Sequence, residues 1–392
     1  MTDILLQAQA LMNELVSNRR KIHRHPETGF DTVKTQQLVL KYLQKEGLEI
    51  VPSEVGVVAR ITTPCAYSTV LMRADMDALP MQEESNAPYA SEIPGKMHAC
   101  GHDAHTAMLL SAAKLINLNR EDLHANVLFI FQPAEEGPGK GGATVMVENL
   151  RKAGLLQDVK AAFALHVSTE FEYGKIGIIY DTYSASVDDF KITLHGKSSH
   201  AANPSAGIDA ISGAARFITE MESYMSRRVD CLDPAVFSIT RISGGTVTNV
   251  LAETVTLEGT IRCQSQAHRE QLPKAASQIL DGLTLSTGII YEFELIEGVP
   301  PLVNNNKMVD YAKKCAEQIV GYDNVIQKRT PTNSAEDFAY FTQAVPGACI
   351  YLGVRNESEG FVHFMHNPKF NLDERALTIG CALLCQLAFK LK

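Results

Sequence analysis

Hydrophobic texture changes twice along this chain of 392 residues, and the changes divide it into three stretches. Up to about Ser184, continuous apolar runs such as VGVVARI, STVLMR and NVLFIFQ alternate with amphipathic stretches. The runs predict strands over 54–62, 68–73, 126–132 and 160–166; the stretches predict helices over 3–25, 34–47, 103–118 and 142–153. Strands without a polar face, separated by helices, predict a mostly parallel sheet covered on both sides. Beyond Ser184 the period becomes two: Phe190, Ile192 and Leu194 alternate with Asp189, Lys191 and Thr193, and two later runs (255–262 and 291–295) do the same. Such strands bury one face only. Helices with Ile211, Ala214, Ile218, Met221 and Met225 on one stripe, and over about 268–285, complete a β-α-β-β-α-β order. After Gly298 the first texture returns, with helices over 306–320, 335–343 and 373–391 and a strand over 348–353. The fold class is therefore α/β, a domain with a mostly parallel sheet interrupted by a small inserted α+β domain. The expected parts are 1–184, 185–297 and 298–392.

A chain of this length exceeds one average domain. Apolar residues make up 45% and charged residues 21%, a globular balance. A net charge of −9 with no cluster of Lys or Arg argues against nucleic acid as the partner. No apolar run approaches the roughly 20 residues of a membrane span, and the first residues lack the features of a secretory leader. Cysteines at 65, 100, 231, 263, 315, 349, 381 and 385 show no disulfide framework. They read mostly as small buried apolar residues, in keeping with a reduced cytoplasmic setting.

Metal-ligating residue types gather at the ends of the apolar runs. HACGH places Cys100 and His102 around a glycine just before a helix, where the dipole favours a thiolate. Asp103 reads as a cap of that helix or, with His105, as a partner of the ligands. Alone, the motif fits a buried cysteine beside a capping histidine equally well. Glu135 and Glu136 follow a buried strand and precede a glycine-rich turn, so one can bind a metal while the other faces a bound water. His166 ends AAFALH, and His366 stands in HNP, with His363 a weaker competitor. Asp75 and Asp77 follow another apolar strand and either orient ligand imidazoles or cap a helix. His200, in GKSSHAANP of the inserted domain, is either an exposed loop residue or a group that stabilises an oxyanion.

All of these residues except His166 and His363 fall within eight blocks spread over the whole chain: RRKIHRHPETGF, RADMDALP, MHACGHDAH, FQPAEEGPG, GKSSHAANP, TNVLAETVTLEGTIR, SAEDFAYF and HNPKF. In this order they resemble the M20 metallopeptidases, in particular the amidohydrolases that cleave N-acyl amino acids, among them hippurate and auxin-conjugate hydrolases. The resemblance implies a zinc-peptidase-like catalytic domain and a ferredoxin-like lid that forms a homodimer. It implies two divalent ions (Zn, Mn, Co or Ni) held by Cys100, His102, Glu136, His166 and His366, with Glu135 as general base and acid. It places His200 at the substrate carbonyl, and Asn249 and Arg262 near the substrate carboxylate. Ser198 and Ser199 depart from the two glycines usual before the lid histidine, and Asp31 stands where the family has Glu. Some blocks are similar to N-acetyldiaminopimelate deacetylases and GVRNESEGFV to general N-acyl amino acid amidohydrolases. A dipeptidase or aminopeptidase of the same family, a metal-binding scaffold without catalysis, and a thiol enzyme using Cys100 are the competing readings.

Overall fold

The computed structural model describes residues 3–64, 66, 68–137 and 139–391, so Cys65 and the Pro138 of FQPAEEGPG lie outside it. The chain forms two compact units, one of Met1–Tyr183, Val303–Thr330 and Asp337–Lys392, the other of Ser184–Leu302 and Pro331–Glu336.

An eight-stranded sheet organises the first unit. Its centre is four parallel strands in the order Asn126–Gln132, Thr69–Asp75, Val159–Glu172, Gly347–Arg355. The flanking strands Val57–Ile61 and Ile176–Ile178 pair antiparallel to this centre. Six of the seven residues in both Asn126–Gln132 and Thr69–Asp75 are buried, whichever face they point to, so the sheet is covered on both sides as the texture predicts. Phe129, Phe131 and Phe163 are fully buried here, each worth about 1.5–3 kcal/mol in apolar burial. Helix His102–Leu118 runs through the interior, packed against helices Met12–Arg24 and Ala376–Lys390 and against the central strands.

Three elements differ from expectation. The N-terminal helix is two helices, Ile4–Ala10 and Met12–Arg24, because Leu11 leaves helical geometry. The helix predicted over 335–343 is only Ala339–Ala344. Asp337 instead turns its carboxylate onto Arg73, Gln132 and the Ala143 N–H, which holds its segment out of a helix. The strand carrying His166 does not stop there but runs from Val159 to Glu172.

Parallel strands deliver their carboxyl ends to one edge, where ligands gather in open α/β sheets. Asp75 pairs with Gln132 at that edge, and His166 lies two residues past the last pair, Arg73 with Ala164.

In the second unit four antiparallel strands lie in the order Ile290–Glu297, Asp188–His195, Thr254–Cys263, Ala235–Gly244. Helices Ala210–Arg228 and Gln266–Thr287 pack against them. Phe190, Ile192 and Leu194 are buried with Phe217, Leu257 and Leu280, while Asp189 and Lys191 face solvent. The alternation thus produces the expected one-sided sheet. Among the described residues, no helix is long and apolar enough to cross a membrane.

Candidate metal centre

Gly101 sets the local geometry of HACGH. Its φ of +87° begins helix His102–Leu118, and a Cβ there would meet Val167 Cγ2 at 2.4 Å. A side chain would push the turn off the neighbouring strand. The turn places Cys100 Sγ 3.5 Å from His166 Nε2. His166 Nδ1 lies 2.8 Å from the Val167 carbonyl, so it carries the proton and donates, leaving Nε2 as the ligating nitrogen.

Two glutamates come from the loop after Asn126–Gln132. Asp77 accepts the backbone N–H of Glu135 at 2.9 Å and of Glu136 at 3.0 Å, one on each oxygen. Asp77 thus fixes the paired glutamates rather than capping a helix, and its Oδ1 also faces His102 Nδ1 at 3.5 Å. Ala134, at φ +57°, turns the chain there, and a Cβ on Gly142 would strike the Pro133 carbonyl at 1.9 Å. His366 comes from the opposite end of the sequence. Its backbone N–H donates to Ala99 O at 2.9 Å, and its Nε2 lies 2.9 Å from Glu136 Oε1, off the line of a hydrogen bond.

Asp75 acts through His105. His105 Nε2 accepts the Val167 N–H at 2.9 Å, so Nδ1 carries the proton donated to Asp75 Oδ1 at 2.6 Å. The other Asp75 oxygen accepts from Arg73 at 2.7 Å. Asp103, in the first turn of its helix, caps nothing: Gly101 is the N-cap, and Asp103 Oδ2 accepts from Arg19 Nε at 3.0 Å and pairs with His23 Nδ1 at 2.8 Å.

Ligand atoms within 4.8 Å of one another form overlapping sets: Cys100, His102 and His166; Cys100, Glu136 and His366; His102, Glu135 and Glu136. His102 tests whether they suit a metal. It is fully buried, and neither ring nitrogen has a hydrogen-bond partner. Its nitrogens face Asp77 at 3.5 Å, Asp75 at 3.6 Å and Glu135 at 3.9 Å. Buried polar atoms are rarely left unpaired, and carboxylates facing a buried imidazole at these distances suit a cation between them. A soft sulfur, imidazoles and carboxylates are together the donor set of a first-row divalent ion.

Electrostatics agree. Burial, joined by Glu136 and Glu135, pushes the Cys100 thiol well up. Burial pulls His102 down, but Asp75, Asp77 and Glu136 outweigh it and lift the imidazolium to about 10. Burial, joined by His105, brings His166 down to about 3. Burial opposes ionisation of Glu136, yet His366 and His102 hold it below the usual carboxylate range.

His200, Asn249 and Arg262 belong to the second unit. Ala202 N–H donates to His200 Nδ1 at 3.0 Å, so the neutral ring carries its proton on the exposed Nε2. Asn249 O accepts from Ala201 N at 2.9 Å, and Arg262 Nη1 donates to Asn333 O at 3.4 Å. Ser199, in place of a family glycine, donates its hydroxyl to Asn203 O.

Sulfur, imidazoles and paired carboxylates beyond the ends of parallel strands define a metal-dependent hydrolase. The chain belongs to peptidase family M20/M25/M40, whose description matches residues 71–390. It is 36% identical over 383 residues to the N-acetylcysteine deacetylase of Bacillus subtilis strain 168, covering 97% of each chain. It is 41% identical over 293 residues to the N-acyl-L-amino acid amidohydrolase of Geobacillus stearothermophilus, covering 74% of this chain and 78% of that one. A Bacillus subtilis dinuclear metal-binding peptidase of the M20 family has a similar structure, with a TM-score of 0.82 and 31% identity over 97% of this chain and 98% of that one.

Proposed function

We propose that this enzyme hydrolyses the amide bond of N-acyl L-amino acids, adding water to give a carboxylic acid and a free amino acid. The carrying observation is His102, buried without a hydrogen bond among Asp75, Asp77 and Glu135. Relatives named as a deacetylase of N-acetylcysteine and an amidohydrolase of N-acyl amino acids support the substrate class.

Cys100, His102, Glu136, His166 and His366 would hold two divalent ions, drawn from zinc, manganese, cobalt and nickel. Bound there, such ions supply Lewis acidity toward an acyl carbonyl and acidify a water. Glu135 takes the proton of that water and returns it to the departing nitrogen as the C–N bond breaks. Asp77 keeps Glu135 aimed for both transfers by holding its backbone N–H. His200, with its proton on Nε2, is the donor for the negative charge that develops on the carbonyl oxygen. Asn249 and Arg262 are assigned to the substrate carboxylate. The second unit serves as lid and as the interface of a homodimer. The seven described cysteines are all free thiols, in keeping with a cytoplasmic setting.

The test is a hydrolysis screen of apo-enzyme reloaded with each of the four metals. Substrates would be N-acetyl and longer N-acyl amino acids, N-acetyl-diaminopimelate, and dipeptides with a free α-amine. N-acyl amino acids should be cleaved fastest; faster cleavage of the dipeptides would overturn the proposal.

A further inference from the structure

The block RRKIHRHPETGF carries two residues that take no part in the chemistry above, although they are buried as deeply as any ligand. Arg19 is 0% exposed and His23 1%. Both lie on helix Met12–Arg24, otherwise an ordinary amphipathic helix. Burying a guanidinium is costly unless each donor is met, and here the donors reach two distant stretches, 89–103 and 371–374. Nε donates to Asp103, the residue after His102. The terminal nitrogens donate to Glu374 Oε1 at 2.9 Å, Tyr89 Oη at 3.2 Å and Asn371 Oδ1 at 3.4 Å. Asn371 and Glu374 follow His366 by five and eight residues. Tyr89 also donates to Asn371 at 3.0 Å, and His23 grips the same Asp103 oxygen while its Nε2 meets Glu83 at 3.2 Å. The two segments meet again where His366 N–H donates to Ala99 O.

We propose that Arg19 is a positioning residue whose planar fork sets the Cys100–His102 turn against the segment carrying His366, and so fixes the spacing between metal ligands. This rests on the metal-site reading above. A purely cohesive role could be filled by any group that stabilises the helix. A positioning role needs the fork itself, because a lysine offers a point charge and cannot address Asp103, Asn371 and Glu374 in fixed directions. Partners that orient ligands change metal affinity by about 10–100-fold.

The experiment compares full-length wild type, Arg19→Lys and Leu15→Ala by cobalt affinity in chelator competition, by the visible spectrum of the cobalt-loaded protein, and by Tm. Leu15 is fully buried on the same helix and packs in the hydrophobic core, offering no polar group. Arg19→Lys should lower affinity for at least one of the two ions by about 10–100-fold and shift the spectrum. Leu15→Ala should lower Tm and leave both at wild type. Wild-type affinity and spectrum in Arg19→Lys, or an equal loss in Leu15→Ala, overturns the inference. If Arg19→Lys does not fold, His23→Gln is read by the same criteria. Wild-type protein that takes up no cobalt would instead overturn the metal-site reading.

Discussion

Cys100 and His166 meet sulfur to nitrogen at 3.5 Å, the approach of a cysteine-protease pair, but with the protons in the wrong places for one. A nucleophilic cysteine needs a depressed pKa and a protonated imidazole beside it. Here burial pushes the thiol up and brings His166 down to about 3, so no thiolate–imidazolium pair forms between them. Both groups are suited to a cation instead.

That distinction predicts how the enzyme is inhibited. A chelator should abolish activity, and added metal should restore it. Iodoacetamide at neutral pH should label the exposed Cys231 and leave the metal-loaded enzyme active. Chelator-resistant, iodoacetamide-sensitive turnover would reinstate Cys100 as a nucleophile.

Glu135→Gln keeps the size of the side chain and removes the base. Turnover should fall by about 10²–10⁴-fold, with metal content by elemental analysis unchanged. Survival of activity within about tenfold would remove Glu135 from the proton transfers.

Metal uptake should release protons. At pH 7 the Cys100 thiol, raised above its ordinary value, and His102, raised to about 10, both hold a proton in the free site. Ligation needs both deprotonated, so about two protons leave per loaded site and affinity rises with pH. Calorimetry in buffers of different ionisation enthalpy measures the number.

Gly101→Ala asks for a positive φ with a Cβ 2.4 Å from Val167 Cγ2. Backbone strain of this kind costs on the order of 1–3 kcal/mol before the clash is counted. The variant should unfold at lower urea and bind metal more weakly, because the turn that moves carries Cys100. Retained affinity would show that the turn tolerates displacement.

Acid should find the Arg19–Asp103 pair. Burial opposes ionisation of Asp103, but Arg19 and His23 hold its carboxyl far below the ordinary range. A depressed folded-state pKa contributes stability that is complete above about 4, the unfolded value, and is lost as pH falls through the folded one. Urea unfolding of metal-free protein should therefore weaken from pH 6 to pH 3, with a shallower slope in Asp103→Asn. Equal slopes would refute the assignment.

Much of the candidate site is legible in the sequence because the residues proposed as ligands sit where hydrophobic patterns stop. Cys100, His102, Glu135, Glu136, His166 and His366 each border an apolar run or a glycine turn, and they converge in the first unit. The supporting roles are not legible. Asp77 follows a strand, as a helix cap or an imidazole partner also would, and only the fold shows it accepting two N–H groups from the Glu135–Glu136 loop. Asp103 sits where capping residues sit, yet its partners lie 84 and 80 residues away. Arg19 reads as one more cation on an amphipathic helix, since burial by distant segments leaves no periodic trace. Where the strand through His166 stops is equally hidden, because its extension to Glu172 is fixed by pairing with the strand that ends at Arg355.

Glu136 and His366 stand 2.9 Å apart in space and 230 residues apart in the chain. During synthesis from the amino end, a ribosome-bound chain therefore carries most of the proposed liganding groups long before the last one exists. If those residues are the ligands, the amide-cleaving site cannot be complete on a nascent chain that still lacks His366. Loss of the carboxy-terminal piece that begins at His366 would remove the buried helix Ala376–Lys390 together with that imidazole, so the interior and the proposed cage would fail at once.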